Sequence, residues 1–294
     1  MLKQRLISGL SIGGVCLLAF LSPGLTGGLL FTFLCMALIW IVLGEYAALS
    51  AKLGLPTMRL PMRIGGLVLM LALAWRPLIH NLPPYPLEEA AVLFMVLLST
   101  AFIAVSGKDL RLSMVSWLVT LGGMLLLYGT LRFIPALYFR EGLGMHGRLL
   151  VLFALVVTKF GDIGAYTLGV LTARKSGGNH KLWPRVSPKK SWEGLAGGVM
   201  ASVVLAWLML MVMPDSVGRL FGDGFVARLF FSAVTAVVLT GTGLLGDLTE
   251  SALKRAAGVK DSGAVPGLGG VFDFVDSLVF NAPLFWLFVV WRGS

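Results

Sequence analysis

The chain has 294 residues, of which 57% are hydrophobic and only 13% charged, with a mean hydropathy of +0.89. Soluble domains carry about 25% charged residues, so the composition excludes an ordinary soluble globule and predicts an all-α polytopic membrane protein. The net charge of +10 suits an anionic lipid surface, and with no soluble basic domain to carry it, nucleic acid is not an expected partner.

A membrane span needs about 20 mostly apolar residues. Nine are predicted in chain order: 5–22, 28–48, 64–82, 88–106, 113–136, 149–172, 195–213, 228–248 and 272–291. Lys3 and Arg5 before the first run imitate a secretion signal. No small-x-small cleavage site follows and further spans come at once, so a retained first span is expected. The run 64–82 is interrupted by Arg76 and Pro77. Cys16 and Cys35 lie in apolar runs and suggest neither a disulfide framework nor a metal cluster. With the N-terminus cytoplasmic, sixteen Lys and Arg fall on the cytoplasmic side and seven outside, with Lys159 inside a span. The positive-inside rule therefore predicts a multi-pass protein of the cytoplasmic (inner) membrane, N-terminus in.

Residues 1–146 read as apolar spans with short loops: a scaffold, and a candidate lipid-facing or homodimer region. Glu45, Glu88, Glu89, Asp109 and Glu141 are scattered along it and read as interfacial or loop charge. Asn81–Pro86 reads as a turn or interfacial segment on the far side. Neither an internal repeat nor a low-complexity tract is seen.

Residues 147–294 differ. Three spans carry charge or end in it, and two charged loops, 173–194 and 249–271, are expected on the cytoplasmic side. A charge near the bilayer centre costs about 2.5–3.5 kcal/mol on insertion scales, so several together mark a candidate functional site. Lys159 and Asp162 come first. Next is GGNHKLWPRVSPKKSWEG, Gly177–Gly194, in which glycines, Lys181, Arg185, Lys189, Lys190, Ser187 and Ser191 could wrap phosphates. Trp183 and Trp192 fit interface anchors, and the lone His180 reads as a solvated loop residue. The run from Gly241 to Gly246 fits G-x-G-x-x-G, but it lies in an apolar segment and reads as close helix packing.

Asp247 and Glu250 are three residues apart, and so are Asp273 and Asp276; that spacing puts each pair on one helix face. The second pair fits either hard-cation ligands or a solvated helix N-terminus. Glu250 is also four residues before Lys254, the favourable order for a helical ion pair. Asp247 is a candidate third cation ligand. Lys254, Arg255 and Lys260 suit phosphate oxygens, or anchor the topology.

These residues resemble the phosphatidate cytidylyltransferase (CDP-diglyceride synthase) family. Its signature runs S-x-x-K-R, four residues, K-D-S-G, then P-G-H-G-G, two residues and D-R-x-D. Ser251, Lys254, Arg255, Lys260, Asp261, Pro266, Gly267, Gly269, Gly270, Asp273 and Asp276 match it, and G-D-L-x-E-S is present from Gly246 to Ser251. The earlier block, D-x-x-A-Y then H-K-L-x-P-x-V-S-P-x-K-[ST]-W-E-G, matches at Asp162, Ala165, Tyr166 and His180 through Gly194. The resemblance covers residues 160–285. Leu268 stands where the signature has His and Phe274 where it has Arg. Two residues separate Gly263 from Pro266, one fewer than usual.

The resemblance implies transfer of CMP from CTP to phosphatidate, giving CDP-diacylglycerol and diphosphate in phospholipid biosynthesis, with membrane lipids as surroundings. It implies Mg²⁺ at Asp247, Asp273 and Asp276, with K⁺ as a companion cation. Lys254, Arg255 and Lys260 would hold phosphates, and Asp261 would either fix Lys260 or join the cation site. Ser187, Lys189 and Lys190 would close over the nucleotide, with Asp162, Tyr166, Trp192 and Ser251 as further substrate-binding positions. An ion-coupled transporter also uses intramembrane charge, but it favours repeated halves with broken helices. A CDP-alcohol phosphotransferase would show aspartates at a spacing of four. The departures at Leu268 and Phe274 motivate a third alternative, a non-catalytic homologue.

Overall fold

The computed structural model describes residues 18–142, 144–174, 178–263 and 270–293. Among these, eight helices are long and apolar enough to cross a membrane: α1 (Gly24–Lys52), α2 (Arg59–His80), α3 (Pro86–Val105), α4 (Leu110–Tyr138), α5 (Met145–Ala173), α6 (Trp192–Val212), α7 (Phe225–Ala256) and α8 (Phe272–Gly293). They coincide with the second to ninth predicted spans; most of the first, 5–22, lies outside the described residues. Pro77 is accommodated because it falls in the last turn of α2, which Asn81 closes in the left-handed conformation at φ 53°. At the other end of the chain's charged half, α7 runs to Ala256, so Glu250, Ser251, Lys254 and Arg255 are helical.

The chain divides into two compact units: Met1–Gly147 with Leu253–Val275, and Arg148–Ala252 with Asp276–Ser294. In the first, α1 packs along α2, α2 on α3 and α3 on α4. Small residues allow the close approaches that drive helix association in lipid. A Cβ on Gly66 would press 2.7 Å from Leu43, and one on Gly65 would lie 2.8 Å from Val96. Gly123 of α4 leaves room for the Tyr46 ring, whose hydroxyl donates to the Val119 carbonyl at 3.1 Å.

The acidic residues in the N-terminal segment of this unit divide into two groups. Asp109 caps α4 through the Leu112 N–H at 3.0 Å, Glu88 lies near Arg76, and Glu141 meets His146, all as interfacial or loop charge. Glu45 and Glu89, however, are buried. A five-residue π-helical turn in α4, Met124–Tyr128, presents Tyr128 to Glu89, and the hydroxyl donates at 2.6 Å. Arg132 donates to the other oxygen of Glu89. Paired and hydrogen-bonded, this carboxylate is tolerable in an apolar bundle.

In the second unit, α5 and α6 meet along stripes of small residues: Gly161, Ala165 and Gly169 on one, Gly194, Gly198 and Ser202 on the other. Polar side chains tie the remaining helices. Asn281 of α8 donates to Thr158 of α5 at 2.8 Å and accepts from Thr242 of α7 at 2.5 Å. Thr240 of α7 donates to Ser202 of α6 at 2.9 Å. A cluster of Phe153, Phe221, Phe285 and Phe288 fills the apolar interior, with neighbouring ring centroids 4.9–6.1 Å apart.

The segment read as a glycine-rich loop is a hairpin. Strands β1 (Lys181–Trp183) and β2 (Ser187–Ser191) pair antiparallel, Lys181 opposite Ser191 and Trp183 opposite Ser187. Ser191 then caps α6, accepting the Gly194 N–H at 3.1 Å. Glu193 accepts the His180 N–H at 3.1 Å and contacts its imidazole Nδ1 at 2.6 Å. The imidazole is solvent-exposed but tethered, which refines the reading of His180 as a solvated loop residue.

Candidate active site

Two carboxylate clusters, one in each unit, contain the predicted cation ligands. In the second unit, Asp247 and Glu250 share one face of α7, as their spacing dictates. Asp276 joins them from α8, and one oxygen of each of the three lies within 4.8 Å of the others. Gly246 makes the approach possible, since a Cβ there would run into the backbone carbonyl of Asp276. Glu250 is 1% exposed and Asp276 8%. Lys190, at the end of β2, reaches Asp247 at 2.6 Å, and the Ser251 hydroxyl donates to the other Asp247 oxygen at 3.2 Å. Nearby on α5, Lys159 donates to Asp162 at 3.3 Å and to Ser277 at 3.0 Å.

In the first unit, Asp273 is held by donors on every side. Lys254 forms an ion pair with one oxygen. The other accepts from the Gly270 N–H at 2.8 Å, the Ser262 hydroxyl at 3.1 Å and the Ser262 N–H at 3.3 Å. Asp273 therefore anchors Lys254 and the ends of the glycine-rich run. Arg255, Lys260 and Asp261 are exposed; the first two are cations open to an incoming anion. Pro266, Gly267, Leu268 and Gly269 lie outside the described residues.

The other expected substrate positions fall in the second unit. Ser187 and Lys189 lie on β2 beside Lys190, and Lys189 is exposed. Trp192 opens α6, and Tyr166, 74% exposed, projects from α5 four residues after Asp162. Three further charges lie outside the expected set. Glu250, whose spacing of four fits a pair with Lys254, also shares a face with Asp247, as a spacing of three dictates. Lys159, inside a span, contacts Asp162. Glu45, which the sequence places as interfacial charge, is buried; a carboxylate inside a long apolar run carries the same cost signal as the aspartates.

The sequence matches the cytidylyltransferase family over residues 3–291, almost its full length. The chain belongs to the cytidylyltransferase family. A phosphatidate cytidylyltransferase of Staphylococcus saprophyticus is 31% identical over 274 residues, 92% of this chain and 94% of that protein. One from Haemophilus influenzae is 40% identical over 141 residues, 48% of this chain and 45% of the relative. One from Bacillus subtilis is 40% identical over 149 residues, half of each chain. The matched segments thus span about half the length of the last two relatives.

For a cytidylyltransferase-family chain the donor chemistry of the second unit is informative. Three carboxylates supply only hard oxygen donors, which fit Mg²⁺ and disfavour softer metals. Two are buried and the third, Asp247, is half-exposed.

Proposed function

We propose that this chain is a phosphatidate cytidylyltransferase, converting CTP and phosphatidate to CDP-diacylglycerol and diphosphate. The observation that carries the reading is the convergence of Asp247, Glu250 and Asp276 in a membrane chain of the cytidylyltransferase family. A phosphate oxygen of phosphatidate attacks the α-phosphorus of CTP in line. The new P–O bond forms as the bond from the α-phosphorus to the oxygen bridging to the β-phosphorus breaks, and diphosphate leaves with that electron pair. The nucleophile is already anionic, so positioning and charge neutralisation carry the catalysis.

Asp247, Glu250 and Asp276 would hold Mg²⁺, which when bound neutralises nucleotide phosphate charge and stabilises the leaving diphosphate. The same carboxylates are the seat proposed for a companion K⁺. Lys190 orients Asp247, and Lys159 balances the carboxylate charge through Asp162. Lys254, steadied by Asp273, takes phosphate oxygens with Arg255 and Lys260. Ser187 and Lys189 of the hairpin and Trp192 at the start of α6 border the nucleotide. The bias of Lys and Arg among the loops supports a site opening to the cytoplasm. There a soluble nucleotide meets a lipid headgroup.

Diphosphate release by the detergent-purified protein tests the reading. Release requires CTP, phosphatidate and Mg²⁺ together, and replacing phosphatidate by phosphatidylcholine abolishes it. Release without phosphatidate would point to a nucleotide hydrolase instead.

A further inference from the structure

The first unit holds a carboxylate for which the mechanism above has no role. Glu45 lies in α1, 217 positions before Ser262 and 227 before Phe272, yet it touches both. One oxygen accepts the Val271 N–H at 2.9 Å. The other accepts the Phe272 N–H at 2.8 Å and faces the Ser262 hydroxyl at 3.2 Å. Glu45 is only 8% exposed. It satisfies backbone donors at the start of α8 that have no partner within the helix, at the end where the dipole favours negative charge.

The surrounding glycines fit the same arrangement. A Cβ on Gly263 would strike the Glu45 carboxylate. A Cβ on Gly270 would strike the Ser262 hydroxyl and sit 2.9 Å from an Asp273 oxygen. Ser262 lies between the two carboxylates, 3.2 Å from Glu45 and 3.1 Å from Asp273. Its single hydroxyl proton serves one of them at a time, which couples their positions. A continuous run of contacts leads from Glu45 through Ser262 and the first residues of α8 to Asp273, and from Asp273 to Lys254.

We infer that Glu45 is a positioning residue, a carboxylate from the N-terminal helices that fixes Asp273 and, through it, Lys254 for the nucleotide phosphates. The inference rests on the assignment of Lys254 to phosphate made above. It gives the N-terminal half a part in the reaction beyond scaffolding. The requirement is for an acceptor-only group, because three donors converge on it. A glutamine of the same size would turn an N–H toward N–H donors.

The test compares Glu45→Gln with Glu89→Gln, the other buried carboxylate of this unit. Each variant is purified as the full chain in detergent. Glu45→Gln is expected to raise the KM for CTP about tenfold while leaving the KM for phosphatidate nearly unchanged. Amide exchange is expected to rise in the peptides covering residues 257–263 and 270–275. Glu89→Gln is expected to lower the thermal midpoint with both KM values and that exchange intact. Should Glu45→Gln not fold, Ser262→Ala keeps both carboxylates and shifts the KM for CTP in the same direction. A wild-type KM for CTP with unchanged exchange, in whichever of these two variants folds, overturns the inference. If the wild type makes no CDP-diacylglycerol, the assigned reaction is wrong, yet the exchange comparison still decides whether Glu45 positions the start of α8.

Discussion

Glu250 is 1% exposed and shares one face of α7 with Asp247. Asp276 and Glu250 now occupy one cluster, and Glu250→Gln is expected to raise the Mg²⁺ concentration for half-maximal activity at least about tenfold. A Mg²⁺ titration of the variant checks this, and a wild-type requirement would remove Glu250 from the ligand set. Gly246→Ala tests the approach of Asp276. The added methyl meets the Asp276 carbonyl, and overpacking of this kind costs about 1–3 kcal/mol. Thermal unfolding in detergent should register the loss together with reduced activity.

Asp215 gives a residue-scale prediction with a pH sign. Hydrogen bonds from Arg228 and then Arg219 hold its carboxyl below the usual range. A group depressed in the folded state stabilises the fold above its unfolded value and loses that contribution as pH falls through the lowered one. The thermal midpoint is therefore expected to be insensitive to this group near neutrality and to fall below about pH 4. Asp215→Asn should lower the midpoint at neutral pH, with the gap to wild type closing in acid. A gap that stays constant with pH would contradict the assignment.

At the scale of elements, the eight described spans were legible because lipid imposes one rule, a run of apolar residues ended by charge. Even Arg76 and Pro77 did not break α2, since both fall near its end. The hairpin of β1 and β2 was not legible. Its strands are short and rich in lysine and proline, and the order comes from anchors outside the pattern: Glu193 on His180, and Asn179 donating to the Gly169 carbonyl at 3.0 Å. Ser191 ends the hairpin and begins α6, so Ser191→Ala is expected to cost about 1 kcal/mol and to loosen Lys190 against Asp247. A lower thermal midpoint together with weaker CTP affinity would show both effects. A lower midpoint alone would leave the cap purely structural.

For the whole molecule, the charge placed against lipid in the last third of the chain resolves into two differently built clusters. In the second unit, buried carboxylates gather with lysines beside them, and Gly246 lets the two helices carrying them close up. In the first, two carboxylates are saturated with donors and fix the basic turn. Motif spacing singled out the charged residues for which chemical roles are proposed. It could not disclose that Asp273 and Asp276, one helical turn apart, face different partners, because those partners come from distant parts of the chain: Lys254 and Ser262 for one, Asp247 and Glu250 for the other. The most direct test of the proposed reaction follows the α-phosphorus of labelled CTP in phosphatidate vesicles with Mg²⁺, for the wild type and for Asp276→Asn. The account predicts label in a CDP-diacylglycerol band for the wild type and at least about a hundredfold less for the variant. Folded wild-type protein that leaves all label in the aqueous nucleotide would contradict it.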